Sequence, residues 1–317
     1  MSDSGDLQVD PADFRVDPAD EKTHTRGEEE LWNESWYFDF VNEDATVGGY
    51  VRIGLYPNLD TVWYWACLVG VDRPLITVID HEVPLPSPLP SLELRHDGLA
   101  AEHICDEPLE RWSLGLESFA IVADQPAQMY HGAKGDLVPF GIDLEWETSG
   151  MPFAYPQFLT RYEIPCRVRG QVMYGKKKRS TVAFDGVGQR DHSWGFRDWW
   201  ATGWCWTAFH LEDGSHWHAV TTKPAHQGFG YRQPAGGDLE VYTDFTVDEV
   251  VDPEGIPTSA QLHIHGTEIT FTPTAWAPVL LVAPDDRVSR FPRGMGHFVT
   301  AEGVRGVGWI EFSQPQH

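Results

Sequence analysis

From Leu31 onward the chain almost never repeats its apolar residues at the 3.6-residue spacing of a helix. Short runs of aromatic and branched residues recur instead between Gly, Pro, Asn and Asp. Glu34-Ser-Trp-Tyr-Phe-Asp-Phe40, Gly49-Tyr-Val-Arg-Ile-Gly-Leu-Tyr56 and Thr61-Val-Trp-Tyr-Trp-Ala-Cys-Leu-Val69 are the first three. Runs of that length, bounded by turn formers, read as strands of a sandwich or barrel. Leu75–Ile79, Phe119–Val122, Leu239–Phe245, Ser259–Ile264, Thr267–Thr272, Gly296–Thr300 and Gly306–Glu311 have the same texture. The best short-helix candidate is Pro108 to Leu116. The fold class expected is all-β, with two β-sandwich or β-barrel domains side by side and few short helices.

At 317 residues the chain is long enough for two domains, each with its own core. Residues 1–29 are acidic and polar and read as a lightly ordered arm. Within it Val9-Asp-Pro-Ala-Asp13 recurs as Val16-Asp-Pro-Ala-Asp20, and each Asp-Pro can open a helical turn with Asp as N-cap. Pro84 to Pro90 holds four prolines in seven residues and reads as an extended connection. Pro152 to Pro165 is rich in proline and aromatics, which places the expected domains at 30–165 and 166–317. The strand pattern then restarts at Cys166–Tyr174, followed by a basic turn, Gly175-Lys-Lys-Lys-Arg179, that reads as a solvated hairpin tip. The clearest hairpin joins Trp204–Leu211 to His216–Thr222 through Asp213-Gly214. Alternation puts Trp204, Trp206, Ala208 and His210 on one face, and His216 with His218 on a face of the partner strand.

Lys+Arg number 23 against 48 Asp+Glu, a formal charge of −25. That field repels nucleic acid and anionic lipid, and it favours a neutral or cationic small molecule over an acidic one. Four well-separated cysteines form no Cys-x-x-Cys pair. The opening Met-Ser-Asp-Ser-Gly-Asp has neither a basic nor an apolar leader segment, and no run of about eighteen apolar residues is present. A cytoplasmic chain with reduced thiols and no stable membrane insertion is expected; a homodimer stays open.

One stretch stands apart. Gly186 to Trp200 packs two arginines, two aspartates, a histidine, three tryptophans and three glycines into fifteen residues. Buried charges must be paired, so the mixture reads either as a polar cluster in an aromatic pocket wall or as a structural ion-pair corner.

Asp191-His192-Ser193-Trp194-Gly195, the Glu34-Ser-Trp-Tyr-Phe38 opening, the restart near residue 166 and the closing Gly306-Val-Gly-Trp-Ile-Glu311 carry a resemblance. Over about residues 30 to 312 the chain resembles the two-domain lipocalin-like superfamily of carotenoid hydratases, with its phytoalexin hydratases and Diels–Alder-type cyclases. The resemblance implies a hydrophobic pocket and acid chemistry without an organic cofactor: a carboxylic acid protonates a C=C bond and water adds to the cation. Carried over, Asp191 is the proton donor and His192 its partner or the group that handles water; Arg197 and Asp198 are expected to orient them. Trp194, Trp199, Trp200, Trp204, Trp206, His210, His218, Glu34 and Trp36 are expected around a neutral isoprenoid, terpenoid or steroid-like substrate. Those hydratases carry Asn where this chain has Ser193, so hydration, dehydration, isomerisation and cyclisation all stay open. Burial against tryptophan raises an Asp pKa, as the chemistry needs, whereas Arg190 or Arg197 beside Asp191 would oppose it.

The rival readings are a non-catalytic carrier of hydrophobic ligands and a metal-dependent, cupin-like enzyme. His216-x-His218 and His263-x-His265, with Glu268 close behind, are the residues a metal would use, but hydrogen-bonded barrel histidines are the expectation and no metal is assigned. Serine acyl hydrolysis and dinucleotide binding lack their Gly-x-Ser-x-Gly and Gly-x-Gly-x-x-Gly motifs.

Overall fold

The structure, a computed structural model, describes residues 14–87, 92–132, 135–156, 159–176, 179–223 and 228–316. It is built from two antiparallel sheets. The first holds β1 (Trp32–Val41), β2 (Val47–Tyr56), β3 (Thr61–Gly70), β4 (Leu75–Pro84), β5 (Glu93–His96), β6 (Leu99–Glu107), β7 (Arg111–Ala123), β8 (Asp136–Thr148), β9 (Phe153–Ala154), β10 (Arg161–Tyr174) and β11 (Ser180–Phe196). Its order is β4-β3-β2-β1-β11-β10-β8-β7-β6-β5, and a pairing of β4 with β7 closes it into a barrel. Closure leaves β4 and β7 without a free edge where they meet.

The second sheet begins with β12 (Gly203–Leu211), β13 (His216–Lys223), β14 (Gly228–Gln233), β15 (Glu240–Tyr242), β16 (Phe245–Val251), β17 (Pro257–Ile264) and β18 (Thr267–Trp276). It continues through β19 (Val279–Val282), β20 (Val288–Phe291), β21 (Arg293–Thr300) and β22 (Arg305–Gln316). The order β15-β14-β13-β12-β22-β21-β18-β17-β16 ends on two strands that are neighbours along the chain, so the sheet curls back on itself. The all-β, two-part lipocalin-like expectation holds.

Strands of the first sheet lie between two cores, which explains why their apolar residues do not alternate. Trp36, Phe38 and Phe40 of β1 enter the barrel, while Tyr37 and Val41 join Tyr50, Trp65, Trp206 and Trp309 in a second core between the sheets. All ten residues of β1 are buried as a result. Trp309 Nε1 donates to the Phe40 carbonyl at 3.1 Å and the Tyr50 hydroxyl to the Ala277 carbonyl at 3.1 Å, tying the sheets together.

Three expectations are corrected. Pro108 to Leu116 forms a turn leading into β7, with Leu109 at φ 64°, and no helix; the short helices are 3-10 turns at Pro18–Glu21 and Pro126–His131. The boundary at 165/166 falls inside β10, and the first sheet runs on to Phe196. Pro165 is tolerated there because it lies where the outer edge of β10 passes from β9 to β8, and no partner needs its missing N–H. Residues 14–29 of the expected loose arm pack as a strap over one end of the barrel. Phe14 stacks on Phe153 at 5.1 Å, and Glu21 enters the barrel end to meet Arg190 at 2.8 Å. Asp17 caps its turn as expected, accepting from Ala19 N at 2.8 Å; the earlier Asp10-Pro11 lies outside the described residues. Tyr174 pairs with Ser180 across the basic hairpin tip, whose residues 177–178 also lie outside them. Among the described residues no helix is long and apolar enough to cross a membrane.

Candidate active site

Register brings one polar side chain from each of four strands into a row. Arg52 pairs with Tyr37, Tyr37 with Asp191, and Asp191 with Glu163, across β2, β1, β11 and β10. The next row on the same face is Gly54, Ser35, Ser193 and Arg161. Both rows face the second sheet. Arg161 reaches back one row to hold Asp191 Oδ2 with Nη2 at 2.7 Å and Glu163 Oε1 with Nε at 2.8 Å.

The second sheet roofs these rows. Trp206 Nε1 donates to Glu163 at 2.9 Å, and the Tyr155 hydroxyl lies between Glu163 (3.1 Å) and His218 Nε2 (2.8 Å). Trp204 Nε1 donates to Glu311 at 3.0 Å, and Glu311 in turn holds Arg293 at 2.5 Å. Asp191 thereby lines a small chamber with Arg52, Arg161, Arg197 and Trp199. Above it lies a cleft of about 520 Å³ lined by Tyr155, Trp194, Phe196, Asp198, Trp204 and Val220 among others. Arg161 and Arg197 line both spaces. A groove of about 470 Å³ on the outer side of the first sheet, around Phe119 and Met173, touches none of this network.

Electrostatics separate the two acids. Burial drives the Asp191 carboxyl up, Arg161 only partly offsets it, and neighbouring Glu163 adds to the rise, so it stands at about 7. Burial also acts on Glu163, but the Arg161 guanidinium and donors from Trp206 and Gln189 hold it below the usual carboxylate range. Burial pushes His218 down to about 4, so it is a neutral imidazole. Burial and the charges of Arg161 and Arg52 push Arg197 down to about 10.

The Gly186–Trp200 cluster is thus split by strand alternation. Asp191 and Ser193 face the cleft side. Arg190 and His192 face the barrel, where His192 stacks on Trp36 at 4.2 Å, donates from Nδ1 to the Asp20 carbonyl at 2.7 Å and meets Glu34 at 3.0 Å with Nε2. His192 is therefore not the partner of Asp191, and Glu34 and Trp36 belong to the strapped end of the barrel. Asp198 does not orient Asp191 either; it binds Arg287 at 2.9 Å and caps the turn at Trp200. Arg197 does stand at the chamber, as do Trp199 and Trp206, while Trp194 and Trp204 wall the cleft. Trp200 donates to the Leu281 carbonyl, and His210 lies 3.0 Å from the Gly188 carbonyl and 2.7 Å from His216. These two pack and do not line the cleft.

The histidine pairs weighed as metal ligands do not converge. His265 has φ 47° in the turn after β17, so it leaves the face of His263, and both are exposed. His24, Glu34 and His192 are the described residues whose ligating atoms do come together, within 4.8 Å. They already satisfy one another: His24 donates its backbone N–H to Glu34 and places Nδ1 at 2.7 Å from it. We read this group as the latch of the strap.

Sequence reasoning missed Arg52, Tyr155, Arg161, Glu163, Arg293 and Glu311. A signal existed: Arg52 is a lone charge inside the apolar run Tyr50–Tyr56, and Arg161 and Glu163 share one face of a buried strand.

Fold and site together define a two-sheet, lipocalin-like protein with an ionic network sealed between its halves and an aromatic cleft above it. The chain belongs to the family described as Domain of unknown function (DUF7064), which matches residues 17–316. Solved structures of like fold include an AttH-like protein from Nitrosomonas europaea, with 13% identity and a TM-score of 0.66, covering 94% of this chain and 97% of that one. Kievitone hydratase from Nectria haematococca has 12% identity and a TM-score of 0.58, with 90% of each chain covered. CghA, solved with Sch210972, has 11% identity and a TM-score of 0.56, with 96% of each covered. The resemblance to the hydratase superfamily therefore holds at the level of fold. The sequence matches no curated protein with significance.

Proposed function

We propose that the protein is an enzyme of the hydro-lyase or isomerase type, acting on a small, largely apolar substrate in the cleft between the sheets, with Asp191 as the acid. The observation that carries this reading is the placement of Asp191: a buried carboxyl, raised to about 7, in a small chamber that shares Arg161 and Arg197 with an aromatic-walled cleft. A pocket with apolar walls and few fixed polar groups suits an isoprenoid, terpenoid or steroid-like body. That one structure of like fold is a hydratase supports the reaction class.

Protonated Asp191 gives its proton to one carbon of a C=C bond. The electron-poor carbon that results takes up water, loses a neighbouring proton, or is attacked by a second double bond. In each case one proton is released and returns to the Asp191 carboxylate, so the acid is regenerated. Arg161 fixes the carboxyl at 2.7 Å, and Glu163, kept ionised by the same guanidinium, raises the affinity of Asp191 for its proton. Trp204 and Val220 hold the apolar body.

Incubating wild type and Asp191→Asn with terpenoids and steroids in D₂O after chelation, read by mass spectrometry, tests this. Deuterium appearing at carbon with wild type alone is expected. Substrates bound yet unchanged by both proteins would make this a carrier.

A further inference from the structure

The chamber beneath the cleft carries more positive than negative charge, and part of it is unpaired. Four guanidinium groups line it, those of Arg52, Arg161, Arg197 and Arg293, against the carboxyls of Asp191 and Glu311. Glu311 takes Arg293, and Arg161 is shared by Asp191 and Glu163. Among the described residues Arg52 and Arg197 form no ion pair. Arg52 is 2% exposed, and neither of its Nη groups has a hydrogen-bond partner. The Tyr56 hydroxyl close by, which accepts from Trp199 Nε1 at 2.8 Å, supports the Arg52 guanidinium as a neutral group and supplies no counter-charge. Arg52 lies over the rings of Trp65 (4.5 Å) and Trp199 (5.0 Å), which supply a face but no acceptor in line with its N–H groups. Arg197 has the Ser193 hydroxyl at 3.3 Å and the same Trp199 ring at 5.1 Å.

Buried donors of this kind are costly without a counter-charge. The sequence nevertheless makes room for one of them. A Cβ at Gly54 would stand 2.5 Å from Arg52 Nη1 and 2.8 Å from Nη2, so the guanidinium occupies the space that this glycine leaves. The chamber itself has about 20 Å³ of free volume. That admits one water-sized group and is too small for a free phosphate. Because Arg161 and Arg197 also line the cleft, a molecule lying in the cleft can extend a single oxygen into the chamber.

We propose that Arg52 and Arg197 bind an anionic oxygen of the substrate, which makes the substrate class an apolar molecule ending in a carboxylate. The inference rests on the cleft being the substrate site. It revises the neutral ligand expected from the net charge of −25: the overall field slows the approach of an anion, while local donors set how long it stays. A carboxylate there lies beside Asp191, favours its protonated form and points the rest of the molecule past the acid. An enolate or phenolate oxygen would use the same donors.

The test is equilibrium binding at pH 8 by tryptophan fluorescence and calorimetry, with dodecanoate, dodecanol and a nitronaphthol ionised at that pH. Dodecanoate is expected to bind about ten-fold or more tightly than dodecanol, and to associate faster as salt is raised. Arg52→Gln and, separately, Arg197→Gln should bring dodecanoate down to the affinity of dodecanol; a variant that fails to fold by circular dichroism leaves the other and the wild-type comparison to decide. A preference confined to the naphtholate would overturn the carboxylate assignment. If neither anion binds more tightly than dodecanol, or if both variants retain the preference, the inference is overturned. No turnover is measured, so anion preference without deuterium exchange would sink the acid mechanism alone, and exchange without anion preference would sink this site alone.

Discussion

Arg161 holds Asp191 and Glu163 at once, with Nη2 at 2.7 Å from one and Nε at 2.8 Å from the other. For Asp191, burial and the charge of Glu163 outweigh the pull of Arg161 and Arg197. Glu163 has further donors in Trp206, Tyr155 and Gln189, whereas Arg161 is the hydrogen-bond partner of Asp191. The shared proton therefore rests on Asp191.

This sets a pH profile. Turnover that needs protonated Asp191 should fall about ten-fold per pH unit above about 7. Glu163→Gln removes a neighbouring negative charge and should move that limb of kcat/KM to lower pH; movement upward would contradict the shared-proton account.

The same shift acts on stability. The folded state holds this proton more tightly than the unfolded chain, so the stability it confers is fully present below the unfolded value of about 4 and is lost as pH rises toward about 7. Asp191→Asn does not titrate, so its Tm should gain on that of wild type between pH 5 and pH 8.

The strap hangs on a buried ion pair. Glu21 meets Arg190 at 2.8 Å and also accepts from Tyr162, Trp112 and the Leu109 N–H. Glu21→Ala leaves Arg190 unpaired inside the barrel and should cost roughly 3–5 kcal/mol in urea denaturation. Proteolysis between residues 14 and 31 should accelerate with it.

Two glycines should respond in opposite ways. At Gly54 an added Cβ meets only the far end of the Arg52 side chain, so Gly54→Ala should change stability by no more than about 1 kcal/mol while displacing the guanidinium. At Gly188 it would meet the Asp39 carbonyl oxygen at 2.1 Å, which is backbone. Gly188→Ala should cost about 3 kcal/mol or more, measured by thermal and chemical denaturation.

Trp309 is 1% exposed and donates across the sheets to Phe40. Trp309→Phe leaves that carbonyl unpaired and should cost about 1–3 kcal/mol, with the loss seen as a lower Tm.

Much of the fold was legible because strand runs carry local signals: aromatic and branched residues, with Asp213-Gly214 turning β12 into β13. Pro108–Leu116 misled because its apolar spacing is that of a strand with one face on the barrel core, where Trp112, Leu114 and Leu116 alternate. The site was half legible. Asp191 stood out in a dense local cluster, but its ionic partners lie on β10, its roof on β12 and the unpaired Arg52 on β2. Nothing local links them; only register does. Pro165 suggested a break for the same reason, since a proline is harmless at a gap between partner strands and a sequence does not display that gap.

Side-chain parity along β11 decides which side chain the chamber receives. A slip of one residue would bury Asp191 in the barrel and turn His192 outward, exchanging a carboxyl for an imidazole with every strand still paired. Gly186 and Gly188 forbid that slip, because their bare Cα atoms nest against the Val41 and Asp39 carbonyls, where any side chain would collide. Two residues without side chains thus choose which side chain the chamber receives.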